Sequence, residues 1–132
     1  IMKIKIEISV GELLDKLSIL KIKKVKIEDS QKLLEINKEL KFLQETADVI
    51  RKTNEKEFDK FLSTLVSINT KLWDIEDEIR VYEKESNFNE KFISLARDVY
   101  FTNDERFDCK NRINKFFGSE VNEVKEYVDY KK

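Results

Sequence analysis

The chain has no histidine, no proline, two glycines, one cysteine and one tryptophan in 132 residues, and each scarcity excludes something. Without histidine there is no Ser/His or Cys/His nucleophilic machinery, no imidazole acid/base chemistry and none of the common zinc sites. The lone Cys109 allows no intrachain disulfide and gives no sign of an oxidising compartment. With no histidine base in the chain, Cys109 reads as a small helix-face residue rather than a nucleophile. Missing proline and scarce glycine favour long uninterrupted helices. No apolar run approaches the roughly 18 residues of a membrane span. The opening IMKIKIEIS alternates charge with isoleucine, unlike a signal peptide. A cytoplasmic protein that neither enters nor coats a membrane is the expectation. Charge is also not in excess: 26 Lys plus Arg face 27 Asp plus Glu, which leaves no net field to collect nucleic acid. The basic run KIKKVK at 21–26 lacks interleaved aromatics, so it reads as a solvated helix end favoured by the macrodipole.

What is present is 40% hydrophobic and 40% charged residue, with the two signs interleaved in the manner of a solvated helix surface. The length suits one domain over 1–132. Ile4, Ile6 and Ile8 alternate with Lys3, Lys5 and Glu7, the period of a half-buried strand. Such a strand needs a partner, either a C-terminal segment such as VKEYVDY or the same strand of a second subunit. Ser9 and Glu12 then have capping-box spacing, and Val10, Leu13, Leu14, Leu17 and Leu20 recur at helical intervals to about Ile27. Asp29 or Ser30 can cap a second helix bearing Leu33, Leu40, Leu43, Ala47 and Ile50. A third runs from near Phe58 to about Lys84. Asn87 or Asn89 can start a fourth that ends at Gly118, and the tail 119–132 has room for a short helix. Short breaks between amphipathic helices make neighbours antiparallel. The expected fold is therefore all-α, an up-and-down antiparallel bundle of about four helices with a short N-terminal β-strand.

Two helices carry polar stripes. In the third, Asn69, Trp73, Glu76 or Asp77, and Arg80 share one face over about three turns. In the fourth, Asn103, Phe107, Lys110 and Asn114 repeat the spacing, with Asp104, Arg106 and Arg97 nearby, and the first helix offers Glu12, Asp15 and Lys16 near its start. The plain reading is an ion-paired solvent face, since any stripe in so charged a chain looks rich. Against it, asparagine is a poor helix-interior residue, and Trp73 stands where leucine would pack more simply. If the three helices are neighbours, Lys16, Asn69, Trp73, Arg80, Arg97, Asn103, Arg106 and Lys110 form a candidate ligand cleft. Glu12, Asp15, Glu76 and Asp77 are the candidate oxygen ligands for a hard cation such as Mg²⁺, although the adjacent Glu76 and Asp77 diverge by about 100°. A buried network of Glu76, Arg80, Asn103 and Lys110 would make Arg80→Ala cost roughly 3 to 5 kcal/mol.

The blocks ISVGELLDKLSILKIK (8–23), LWDIEDEIR (72–80) and FISLARDVYFTNDERFDCKNRIN (92–114) resemble the signature of an uncharacterised family of short helical bacterial proteins. That resemblance implies a small helical protein and no particular activity. The pattern of Asn69, Leu72, Trp73, Glu76, Asp77 and Arg80 is also similar to a block in a second uncharacterised bacterial helical family. GEL with downstream carboxylates resembles, more distantly, the all-α nucleotide pyrophosphohydrolases, which hold Mg²⁺ on bundle carboxylates.

Two functions are carried forward. The first is a cofactor-free binding or protein-interaction module, homodimeric, that takes a partner or a small polar or phosphorylated ligand in the cleft of helices three, four and the start of helix one. The alternative is a Mg²⁺-dependent nucleotide or sugar-nucleotide phosphohydrolase using Glu12, Asp15, Glu76 and Asp77.

Overall fold

Four helices account for the regular structure of the computed structural model, which describes residues 1–131: α1 (Val10–Lys26), α2 (Ser30–Arg51), α3 (Glu55–Lys84) and α4 (Glu90–Phe117). Each starts on the kind of residue that satisfies its orphan N–H groups. Ser9 Oγ accepts from the Glu12 N–H, Asp29 from Lys32, Asn54 from Glu57 and Asn89 from Phe92. At the other end of α4, Gly118 takes the left-handed conformation (φ 67°, ψ 45°) and its N–H returns to the Asn114 carbonyl.

Connections of three to five residues reverse the chain at each step, so the up-and-down order holds. The packing is nevertheless not a square. α1, the shortest helix, lies against all three others, whereas among the described residues α2 and α4 do not touch. Its sequence explains this position: Leu13, Leu14, Leu17, Leu20 and Ile22 are joined in burial by Gly11, Asp15 and Ser18, which gives α1 almost no solvent face. α2 buries only Ile36 and Ala47 and is peripheral. The core gathers Leu13, Leu14 and Leu17 of α1, Ala47 of α2, Phe58 and Leu65 of α3, and Cys109 and Ile113 of α4. Phe58, Phe61, Phe116 and Phe117 close one end edge to face.

α3 and α4 are much longer than α1. Lys26 at the end of α1 already pairs with Asp74, so the remainder of α3 and the first turns of α4 project as a two-helix arm.

Two expectations are corrected. Residues 1–9 form no strand, and among the described residues the backbone of 1–8 makes no hydrogen bond, because nothing in the chain lies beside it to complete a ladder. The tail through residue 131 forms no helix either. It runs back along α4, held by Ser119, Glu123, Lys125 and Tyr130, and so is unavailable to pair with the N-terminal segment.

Candidate functional site

The polar side chains of α1, α3 and α4 meet in the interior. Asp15, 1% exposed, faces Arg106 of α4, whose Nε donates to Oδ1 at 2.8 Å and Nη2 to Oδ2 at 2.5 Å. Such a fork is the strongest geometry available to a carboxylate and a guanidinium. Asn69 of α3 donates through Nδ2 to Asp15 Oδ1 (2.9 Å) and to Ser18 Oγ (2.8 Å), and the Ser18 hydroxyl donates to the Asp15 carbonyl at 2.7 Å. The hydrogen bond to Asp15 holds the Arg106 pKa above its ordinary value despite the opposing effect of burial.

One turn along α4, the buried Lys110 ammonium lies between Glu12 of α1 (2.8 Å) and Glu123 of the tail (3.1 Å). Burial pulls its pKa down, but the two carboxylates outweigh it and the net shift is upward. A further turn on, Asn114 Oδ1 accepts from the Gly11 N–H at 2.6 Å, and Ser119 Oγ accepts from the Val10 N–H at 3.2 Å. This contact explains Gly11. A Cβ there would lie 2.5 Å from the Lys110 carbonyl oxygen and 2.8 Å from Asn114 Oδ1, so only glycine lets α1 approach α4 this closely. Because Ser9, Asn114 and Ser119 satisfy its first N–H groups, the start of α1 offers no anion site.

Around this seam are two open cavities. A groove of about 310 Å³ runs between α1 and α3, lined by Asn69, Trp73, Glu76, Asp77, Arg80 and Arg106, with Ile19, Ile22 and Leu72 as apolar walls. A larger hollow of about 1190 Å³ lies between α4 and the tail, with Glu12, Asn103, Arg106 and Lys110 on the bundle side and Glu123, Lys125, Tyr127 and Tyr130 on the tail. Arg106 lines both. Across the hollow Lys125 Nζ is 2.5 Å from Asp104 Oδ1, and the Tyr130 hydroxyl donates to Asp104 Oδ2. The Lys125 and Tyr130 contacts hold the Asp104 carboxyl below its usual range, while Asp104 pushes the Tyr130 phenol up to about 12.

The sequence-derived cleft is thus divided. Asn69, Trp73, Arg80 and Arg106 share the groove; Asn103, Lys110 and again Arg106 face the hollow. Lys16 is half-buried outside both, and Arg97 is exposed with its guanidinium 5.8 Å from the Phe101 ring centre. Of the two outcomes open for Arg80, the exposed stripe is the one found, and Glu76, Arg80, Asn103 and Lys110 form no buried network. Glu76 and Arg80 pair only with each other, on the exposed rim of the groove. The four carboxylates proposed for Mg²⁺ are also apart: Asp15 is held by Arg106, Glu12 by Lys110 and Glu76 by Arg80, and no three metal-ligating side chains come together among the described residues. Ser18, Ser119, Glu123, Lys125 and Tyr130 were not among the expected residues. Only Ser18 had a signal, a hydroxyl set inside the apolar spacing of α1.

A four-helix bundle whose shortest helix is sealed into the others by a buried Asp–Arg–Asn–Ser seam is the class of protein these features define. Residues 4–130 match the family of unknown function DUF6165, and the chain belongs to that family. No curated protein and no solved structure shows a significant match to it.

Proposed function

We propose that the protein is a homodimeric binding module whose ligand seats in the groove beside Trp73. One observation carries the reading: Asp15 of α1, Asn69 of α3 and Arg106 of α4 meet at one end of an open groove whose other walls set Ile19, Ile22, Leu72 and Trp73 beside the charged rim of Glu76, Asp77 and Arg80. Few convergent polar groups on a mainly apolar wall is the composition of ligand pockets generally.

The charges at the groove favour a class of guest. Arg106 is matched by Asp15 and Arg80 by Glu76, which leaves Asp77 as the carboxylate without an ion-pair partner among the described residues. Asp77 is one helical turn from Trp73, so indole and carboxylate share a face. An aliphatic stem with a cationic head, such as a lysine or arginine side chain of a partner protein, matches apolar walls, a π face and a spare negative charge together. A phosphate finds no unpaired cation there.

Trp73, the sole tryptophan, reports occupancy directly. Its emission should change saturably with acetyl-arginine amide or an n-alkylamine and stay unchanged with inorganic phosphate or nucleotides, and Asp77→Asn should weaken the response. A saturable response to nucleotides, or none to either cation, overturns this reading. Saturable heat on calorimetric titration with Mg²⁺, abolished by Glu76→Gln, would favour the phosphohydrolase instead.

A further inference from the structure

The N-terminal segment is an apolar feature that the bundle leaves unused. Ile4 and Ile6 are 76% and 72% exposed, while Ile8, on the same side of an alternating segment, packs against the core. Lys3 Nζ lies 4.8 Å from the centre of the Phe42 ring, which sets the segment beside α2. α2 itself turns Leu34, Phe42 and Val49 outward within an arc of about 80°, opposite its buried stripe. An unpaired, alternating segment and an uncovered apolar helix face thus lie together, on α2 and away from the groove.

We infer that residues 3–9 pair with the same residues of a second copy of this chain, as a two-stranded antiparallel ribbon with its two-fold axis at Ile6. The occupant is argued from charge and register. With Ile6 opposite Ile6, Ile4 faces Ile8 twice, and Lys5 faces Glu7 twice. The two faces of the ribbon are then all-isoleucine and charge-matched. Moving the axis to Lys5 or to Glu7 sets two like charges against each other on the axis. A slip by one residue in the pairing puts isoleucine opposite charge throughout. The segment is complementary to itself in one register, and pairing supplies the backbone partners that 1–8 lack within the chain. A lone two-stranded ribbon is marginal in water, and its isoleucine face already has an apolar anchor where Ile8 packs against the core. The inference deepens the homodimer of the proposed function and rests on it.

Charge reversal with rescue tests it on the full chain, because residues 5 and 7 lie outside every helix. In sedimentation equilibrium the wild type should dimerise. Lys5→Glu or Glu7→Lys alone should each weaken the dimer by about tenfold or more, and the double reversal should restore it. Under mild oxidation Ile6→Cys should cross-link two chains, since the paired side chains adjoin at the axis. Ile4→Cys should not, because its counterpart is four residues away. A monomeric wild type overturns both the homodimer and the ribbon. A dimer indifferent to both reversals, or cross-linked as well through Ile4→Cys as through Ile6→Cys, overturns the ribbon alone.

Discussion

Arg106 and Arg80 border the same groove, yet their removal should differ greatly. Arg106→Ala leaves the Asp15 carboxylate buried without its cation, and the expected loss is roughly 3 to 5 kcal/mol. Arg80→Ala removes an exposed i,i+4 pair and should lose under about 1 kcal/mol. Urea titration of the two variants, with unchanged m-values, separates them. Gly11 gives a test of opposite sign to habit. Alanine in a helix ordinarily stabilises by about 0.5 to 1 kcal/mol over glycine, but at 11 its Cβ meets the α4 backbone, so Gly11→Ala should destabilise by roughly 1 to 3 kcal/mol. Ser18→Ala, which adds no atom, serves as a control that still breaks the Asn69 contact. At this scale the sequence was partly readable. Asn69 was identifiable as an amide inside a helix and Arg106 only as a neighbour of the α4 stripe, yet both belong to the seam. Arg80 was not separable from them, because spacing along one helix does not say which of its polar residues a neighbouring helix covers.

Among the elements, the helices and caps were the readable part: Ser9, Asp29, Asn89 and Gly118 act where local chemistry puts them. Even so, Glu12 does not complete the capping box, since its carboxylate is drawn to Lys110 by a contact nearly a hundred residues away. The N-terminal alternation was legible as a pattern and misleading as an element, since a strand exists only with a partner. The tail was illegible because its position depends on three polar contacts with α4 rather than on any period. Those contacts are open to titration. The phenol of Tyr130 is raised from 10.0 to about 12 by its hydrogen bond to Asp104, so its contribution to docking is complete below pH 10 and is lost as pH rises towards 12. Asp104 is lowered, so its contribution is present above pH 3.8 and fades as pH falls through its depressed value. Ultraviolet titration should show one of the four tyrosines ionising late, and Asp104→Asn should abolish that late phase.

Across the whole molecule, stability is distributed unevenly. α1 is enclosed, whereas beyond Ile75 the arm of α3 and α4 has Leu95 as its sole buried residue until Thr102. Few buried contacts mean a low free energy of local opening. Native-state hydrogen exchange should therefore find the amides of about 78–98 exchanging well before those of α1. Equal protection along α3 would show that the arm is covered in solution.

The enclosure of α1 also has a consequence during synthesis. Gly11 emerges 103 residues ahead of Asn114, and at about 5 to 20 residues per second the wait lasts roughly 5 to 20 s. Throughout that interval a leucine-rich helix made before α3 and α4 must remain soluble while the surface that finally receives it is still being translated. The nascent chain thus leaves uncovered an apolar surface that the finished fold encloses.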